Sequence, residues 1–592
     1  MKKTLIFIFA LIASVQVIAQ PIIHSHNDYK QKVPFWEAYY HSLGSIEVDV
    51  YLRGGEIVVC HDIDEVATAP TFEKLYIEPM VSLGDKELAF DLLVDFKSSA
   101  SDLMKPFAEL LEKYTNVFSK DRVKVIISGS RPNQKEWAQY ADCIFFDGRF
   151  NETYTESELA KVGMISDDLR NYTIWNGKGA IPLANKIVLE AAIEKSHKLG
   201  KPVRFWNSPD NPNYWLTLYK MGVDYTNTDN IAQCAHFFSV YDNNTYVLEE
   251  KRETYMPTFK NDGKNAKPKN IIFIIGDGMG LTHTSATETA NRGELTVLNM
   301  KNVGFIKTYA VDCYNTDSAA AGSALATGKK TNNRYISVTP DGKDAENAAE
   351  YFSSIGKKVG VVTSGSVTDA TPATQYGHTI ERDNNEDIAL CMLNGNVDFL
   401  AGSDAASFNK RKDSRNLLDE LEGQGYTITN NKDNLSEMTG KVICLDEYFS
   451  KYVDEENVDY LAKVTKAAIE NLDNKDGFYL MIESAKIDGG GHSNNMRRCV
   501  LETLLMDAVV KEALEFADRD GNTLVVVTAD HETGALTILD GNRETGEVNG
   551  YFASDDHTGV LIPVYSYGPG AGEFRGIYEN TDVFKKLKAL QK

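Results

Sequence analysis

Apolar residues in this chain gather into short runs with few polar interruptions. Between Pro21 and about Asn230 the runs IIHSHN, SIEVDVYL, LLVDFKS, VKVIISG, CIFFDG, VGMISD, PVRFWN and VDYTNTD alternate with amphipathic stretches such as IVLEAAIEKSHKLG. Near-continuous apolar runs mark strands covered on both faces. Eight of them alternating with helices predict a TIM-type (β/α)8 barrel over 20–230. Polar residues collect where the runs end, and the carboxyl ends of the strands are where such barrels carry their chemistry. The rhythm fails over 231–268, where YDNNTYVLEEKRETYMPTFKNDGKNAKPKN is polar and aperiodic, so a linker is predicted there. From 269 to 592 buried-strand runs return at NIIFIIGDGMG, KVGVVTSGS, GFYLMIES and TLVVVTADH. They predict a second α/β domain, a large mostly parallel sheet flanked by helices.

The first run stands apart from the rest. MKKTLIFIFALIASVQVIAQ begins with two lysines, turns apolar and reaches small residues at Ala19. That is the pattern of a cleavable signal peptide over 1–19, so the mature chain is expected to be secreted or periplasmic. No later run is long enough for a transmembrane segment. A chain of 592 residues exceeds one ordinary domain. Its formal net charge of -23 argues against nucleic-acid binding, which needs a basic face. An anionic substrate would have to be offset locally, by metal ions or a placed arginine. The seven cysteines are odd in number, widely spaced and without a CxxC motif, so buried thiols are expected rather than disulfides or a metal cluster.

Charged residues at the ends of the C-terminal runs form a set. Asp277 lies in GDGMG, Glu483, Asp488 and His492 in IESAKIDGGGHS, Asp530 and His531 in TADHETG, and His557 in DHTGV. Carboxylate and imidazole donors on separate strand ends are what an open zinc site requires. Ser318, in NTDSAAAGSALATGKK, is a lone hydroxyl among alanines and glycines. Small neighbours let a helix begin close to a metal and turn its free N–H groups toward an anion, and a cation can hold the hydroxyl as an alkoxide.

NIIFIIGDGMG, TDSAAAGSALATG, DATPA, IDGGGH, TADH and HTG together resemble the alkaline phosphatases, in order and context, over 269–592. The resemblance implies an alkaline-phosphatase-like α/β/α sandwich that hydrolyses small phosphate esters through a phosphoserine at Ser318. It implies one zinc ion on Asp488, His492 and His557, a second zinc ion on Asp277, Asp530 and His531, and magnesium on Asp277, Thr371 and Glu483. Arg382 falls where the family grips phosphate, and its planar fork can bond two oxygens at once. The competing reading of Arg382 is a surface ion pair with Glu381 or Asp383. The resemblance also makes a homodimer a candidate assembly. One departure is visible: Gly489 follows Asp488 where many bacterial members carry a basic or imidazole residue. Asp369 then lacks a basic partner at that place, and product phosphate is expected to be held more weakly.

In the N-terminal half His24 and His26 stand in HSHNDY, Glu47 and Asp49 in IEVDV, His61 in CHD, and Asp95 and Lys97 in VDFK. Residues two apart on a strand share a face, so Glu47 and Asp49 can bind one cation with Asp95. Hard oxygen donors point to magnesium or calcium, with two histidines as general acid and base. Over about 22–230 this set resembles the phospholipase C-like phosphodiesterase barrels, which include the glycerophosphodiester phosphodiesterases. The resemblance implies His26 and His61 as the catalytic pair, with His24 as a substitute for His26, and Glu47, Asp49 and Asp95 as metal ligands. Asn27 and Asp28 occupy the place of the usual arginine and glycine, which leaves Lys97 and Arg204 as the candidate substrate-binding residues. Trp206 is a candidate cover for a substrate. Two readings follow for the whole chain. Either the barrel cleaves phosphodiesters to feed the phosphatase, or it is a non-catalytic binding module.

Overall fold

The computed structural model describes residues 20–84, 86 and 88–592. The expected signal peptide lies outside them. The chain forms two compact units, divided between Tyr241 and Asp242.

In the first unit eight parallel strands, Ile22–Ser25, Ser45–Arg53, Phe90–Phe96, Val123–Gly129, Ile144–Gly148, Val162–Asp168, Val203–Trp206 and Tyr225–Thr228, pair in chain order. The last closes on the first, Ile22 opposite Tyr225. Each is one of the apolar runs. Outward residues such as Val94, Ile127 and Phe146 pack with Leu103 and Phe107 of helix Ala100–Glu112. Inward residues Leu93, Ile126, Met164 and Tyr225 fill the barrel. Two residues further on the same faces stand Asp95, Ser128, Ser166 and Asn227, so strand alternation itself sets a polar layer on the apolar plug. A short strand, Glu56–Val59, folds back antiparallel on Ser45–Arg53 and delivers His61 to the strand ends.

The second unit is built on a ten-stranded sheet. Its four central strands run Lys358–Ser366, Phe478–Ser484, Asn270–Gly276 and Thr523–Thr528 across the sheet, all parallel and almost wholly buried. One strand departs from the parallel expectation: Ile562–Tyr567 is antiparallel to both neighbours, Thr523–Thr528 and Asn302–Lys307. Helix Met496–Asp520 flanks the sheet; the Asn495 side chain accepts the Arg498 N–H at its start, and Gly521, at φ +72°, ends it.

The stretch expected as a linker carries regular structure in its first part and none from 248 to 268. Helix Ile231–Ser239 buries Ile231, Cys234, Phe237 and Phe238 in the first unit, while strand Thr245–Val247 pairs with Glu547–Asn549 in the second. The helix is apolar but short, and the polar tract that follows it masks its period. Cys313 also departs from expectation, being exposed, and Cys391 is half-buried; the other cysteines are buried thiols. Among the described residues no helix is long and apolar enough to cross a membrane.

Candidate active sites

The four central strands of the second unit deliver their polar residues to one edge. Asp277 follows Asn270–Gly276, Glu483 lies near the end of Phe478–Ser484, Asp530 and His531 follow Thr523–Thr528, and the turn after Lys358–Ser366 leads to Asp369 and Thr371. The Asp277 turn is pressed against the segment carrying Asp488, whose N–H donates to the Asp277 carbonyl at 2.8 Å. Gly278, at φ +75°, has no room for a side chain there, because a Cβ would lie 2.6 Å from Asp488 Cα. Ser318 is the first residue of helix Ser318–Thr327, and the Asp317 side chain caps that helix by accepting the Ala320 N–H at 2.9 Å. Ser318 Oγ is buried, 3.2 Å from His531 Nε2.

Two groups of donors converge within 4.8 Å: Asp277 with Asp530 and His531, and Asp488 with His531 and His557. His492 joins the second, its Nε2 3.2 Å from His557 Nε2 and 3.3 Å from Asp488 Oδ2. Their ring orientations are fixed from behind. His492 Nδ1 donates to the Asp555 carbonyl at 2.6 Å and His557 Nδ1 to the Thr316 carbonyl at 2.7 Å. Each Nε2 lone pair is thereby turned toward the other, the tautomer a metal ligand needs. Asp277 Oδ1 and Asp530 Oδ2 are buried without a hydrogen-bond partner. Unpartnered buried carboxylate oxygens are costly unless a cation completes them, so these residues fit a metal site.

The charges agree. Burial, followed by the neighbouring carboxylates, lifts Asp277 well above the usual carboxylate range. Burial likewise raises Glu483 to about 8, even though Thr363 donates to it. So many carboxylates in a dry site cannot all ionise unless cations offset them. Thr371 Oγ1 is 3.4 Å from Asp277 Oδ2, beside Glu483. Arg382 Nη1 lies 3.3 Å from Asp317 and Nη2 3.1 Å from Asp369. It therefore turns into the site and supplies Asp369 with the basic partner missing at Gly489. Glu381 and Asp383 are taken by Arg334 instead.

In the barrel, Glu47, Asp49 and Asp95 converge within 4.8 Å, and Asp49 stands directly opposite Asp95 in the strand register. Asp49 Oδ1 and Asp95 Oδ1 are buried and unpartnered, which fits a cation as before. Asp49 Oδ2 meets His61 Nδ1 at 2.7 Å and the Tyr29 hydroxyl at 2.9 Å. Lys97 Nζ lies 2.7 Å from Asp95 and 3.3 Å from Asp49, within the carboxylate cluster. His26 Nδ1 is held by Asp229 at 2.8 Å. Burial lowers the His26 pKa, but the bond to Asp229 together with the nearby charges of Glu47 and Asp229 outweighs it, and the net shift is upward.

Two barrel residues sit differently from expectation. His24 is fully buried, with Ser45 Oγ at 2.7 Å and Glu47 Oε2 at 2.9 Å on its two nitrogens, so no nitrogen is left for proton transfer. Arg204 is 2% exposed and spends its donors on Glu47 and Asn227, beneath the carboxylates rather than at the mouth. It holds Glu47 ionised and is not free to grip a substrate. Trp206 is 37% exposed at the end of its strand.

Sequence reasoning passed over Asp229, Tyr29 and Arg149. Arg149 follows the strand Ile144–Gly148 and pairs with Asp147 at 2.5 Å and Ser166 Oγ at 3.1 Å. The strand-end rule that found Asp95 would have found Asp229 and Arg149 as well. Tyr29 had no such signal, since its contact with Asp49 spans two strands.

Comparison with known proteins divides the chain the same way. The family described as alkaline phosphatase matches residues 268–551, and an AIM6-like phosphodiesterase domain matches residues 13–102. Alkaline phosphatase 4 of Bacillus subtilis (strain 168) is 31% identical over 430 residues, 57% of this chain and 93% of that protein. Alkaline phosphatase 3 of the same organism is 31% identical over 422 residues, 56% of this chain and 91% of that protein. The alkaline phosphatase of the Antarctic bacterium TAB5 superposes with a TM-score of 0.52 at 34% identity, covering 55% of this chain and 99% of that one. A variant of that enzyme has been solved with magnesium bound, at the same TM-score, identity and coverage.

Proposed function

The chain belongs to the alkaline phosphatase family through its second unit and is a phosphoric monoester hydrolase; on that premise we propose how its residues divide the work. Ser318 is the nucleophile and is phosphorylated in the first half of the reaction. The observation that carries this is its place: a buried hydroxyl on the first turn of a helix, 3.2 Å from His531 and beside buried carboxylate oxygens that lack partners. Backbone N–H groups of that first turn favour an anion, and Arg382, steadied by Asp317 and Asp369, grips two phosphoryl oxygens. Asp277, Asp530 and His531 would hold one zinc ion, Asp488, His492 and His557 another, and Asp277, Thr371 and Glu483 a magnesium ion. Bound cations there supply charge to offset the phosphoryl oxygens and lower the pKa of nearby hydroxyls.

The barrel, in this reading, cleaves phosphodiesters to monoesters. Glu47, Asp49 and Asp95 would hold one magnesium or calcium ion, with His26 and His61 as the acid–base pair and Lys97 near the substrate. Asp49 takes Nδ1 of His61 and leaves its Nε2 for proton transfer, whereas His26 is held at Nδ1 by Asp229 and has its Nε2 3.1 Å from the Asn27 amide nitrogen, a contact that a substrate would have to displace. The N-terminal pattern supports export of the chain.

Turnover of p-nitrophenyl phosphate and bis-p-nitrophenyl phosphate by the wild type, Ser318→Ala and Asp49→Ala tests both halves. Loss of monoester turnover in the serine variant alone, and of diester turnover in the aspartate variant alone, is the expected result. Monoester turnover that survives Ser318→Ala would overturn the nucleophile. Diester turnover absent from the wild type would leave the barrel as a binding module.

A further inference from the structure

In-line displacement puts the departing oxygen opposite the nucleophile. Ser318 sits against His531, Asp277 and Asp530, the closed side of the site; the His531 and Asp530 side chains are wholly buried. The opposite side is formed by Asp488, His492 and His557, and there the His492 side chain is 41% exposed. The alcohol therefore leaves through that open side.

Two exposed tyrosines stand against it. Tyr314 is 76% exposed and lies on Gly559, two residues past His557; a Cβ on that glycine would be 2.8 Å from Tyr314 Cδ1. Tyr452 is 41% exposed and comes from a separate segment to lie on Gly489, next to Asp488. A Cβ on Gly489 would collide with its hydroxyl and lie 3.4 Å from Cζ. Asp488 Oδ1 and His557 Nε2 are only 3.4 Å apart, so the two segments on which the rings lie meet at one pair of ligand residues. The Tyr452 ring is held from its face by the Arg498 guanidinium at 4.3 Å, and Arg498 in turn donates to Ser493 Oγ at 3.4 Å. Val560 and Leu561, also exposed, continue the apolar rim beyond Gly559.

Glycine at 489 and at 559 is what brings each ring up to its ligand-bearing segment; the Tyr314 ring stays mostly exposed, and the Tyr452 ring, backed on one face by Arg498, is partly exposed. We propose that Tyr314 and Tyr452 are the walls of a leaving-group subsite that selects phosphomonoesters whose alcohol carries a planar aromatic ring. This rests on the phosphomonoesterase reading of the same site. The rings recognise the leaving group by stacking and edge contacts, which depend on its face and not on its acidity. They touch neither the nucleophile nor the phosphoryl oxygens.

Binding of phenylphosphonate and methylphosphonate to the full chain tests this without any chemical step. Both carry the same anion and differ in the ring. Titration calorimetry, with competitive inhibition constants beside it, should show the wild type binding phenylphosphonate at least about threefold to tenfold more tightly. Tyr314→Ala and Tyr452→Ala should each lower that ratio while leaving methylphosphonate affinity unchanged, and Tyr314→Phe and Tyr452→Phe should keep it. A wild-type ratio near one, or a ratio unmoved by both alanine variants at unchanged melting temperature, would overturn the subsite. Failure of the wild type to bind either phosphonate or inorganic phosphate would instead remove the phosphomonoesterase reading, and the subsite with it.

Discussion

His24 carries a penalty that only its surroundings explain. Burial, with the nearby charge of Arg204, pulls its pKa down to about 4, although Glu47 accepts from it. The folded ring is therefore neutral where an unfolded histidine, with a pKa near 6.5, takes a proton. Between those two values the unfolded chain binds more protons, so stability falls as pH drops from about 6.5 to about 4. The loss is of order 3 kcal/mol and levels off below the folded pKa. Following urea unfolding of the barrel by near-UV circular dichroism at pH 7 and pH 4.5 checks this; His24→Asn should flatten the slope. At the phosphatase site, Arg382→Ala would remove the two charge-assisted bonds to the phosphoryl group that the proposed mechanism gives it. It should lower kcat/KM for p-nitrophenyl phosphate by about a hundredfold or more. On the proposed mechanism Ser318→Ala should cost at least about a thousandfold, because the nucleophile it assigns is then gone. A fall of less than about tenfold for Arg382→Ala would mean its contacts to Asp317 and Asp369 matter more for packing than for phosphate.

Helix Ser318–Thr327 joins stability and chemistry at its first turn. Asp317 Oδ1 accepts the Ala320 N–H, while Oδ2 accepts the Arg334 N–H and faces Arg382 at 3.3 Å. Asp317→Ala should therefore cost about 1 kcal/mol of stability and also raise KM, since both the cap and the arginine's anchor are lost. Asp317→Asn should keep the cap and raise KM alone, so melting curves and KM values read side by side separate the two roles. Elements of this kind were legible in the sequence to very different degrees. The eight barrel strands and the four central strands of the second sheet read out directly, because burial on both faces leaves no polar alternation to confuse them. The antiparallel strand Ile562–Tyr567 has the same composition as a parallel one, and direction is decided by its partners. Helix Ile231–Ser239 was hidden by the polar tract that follows it. Among site residues, those at strand ends were visible because strand ends are where parallel sheets gather chemistry. Burial of Arg204 beneath Glu47 and the seating of Tyr452 on Gly489 were not, because each joins residues far apart in sequence.

At the scale of the whole chain the donor groups with unpartnered buried carboxylate oxygens are divided between two compact units. Each gathers carboxylates that repel one another without a cation, so chelation should act on both. Prolonged dialysis against EDTA is expected to abolish both monoester and diester turnover and to lower the melting temperature of each unit's transition. The two need not return together, because the donors differ. Histidine nitrogens in the second unit favour zinc, whereas the all-oxygen set of Glu47, Asp49 and Asp95 favours magnesium or calcium. Adding zinc alone to the stripped protein should therefore restore p-nitrophenyl phosphate turnover well ahead of bis-p-nitrophenyl phosphate turnover, and adding magnesium alone should do the reverse. Recovery of both activities with one metal, in proportion, would mean that a single site performs both reactions. The Asp49→Ala variant decides that case: retained diester turnover assigns it to the Ser318 site, and lost turnover keeps the barrel as the diesterase.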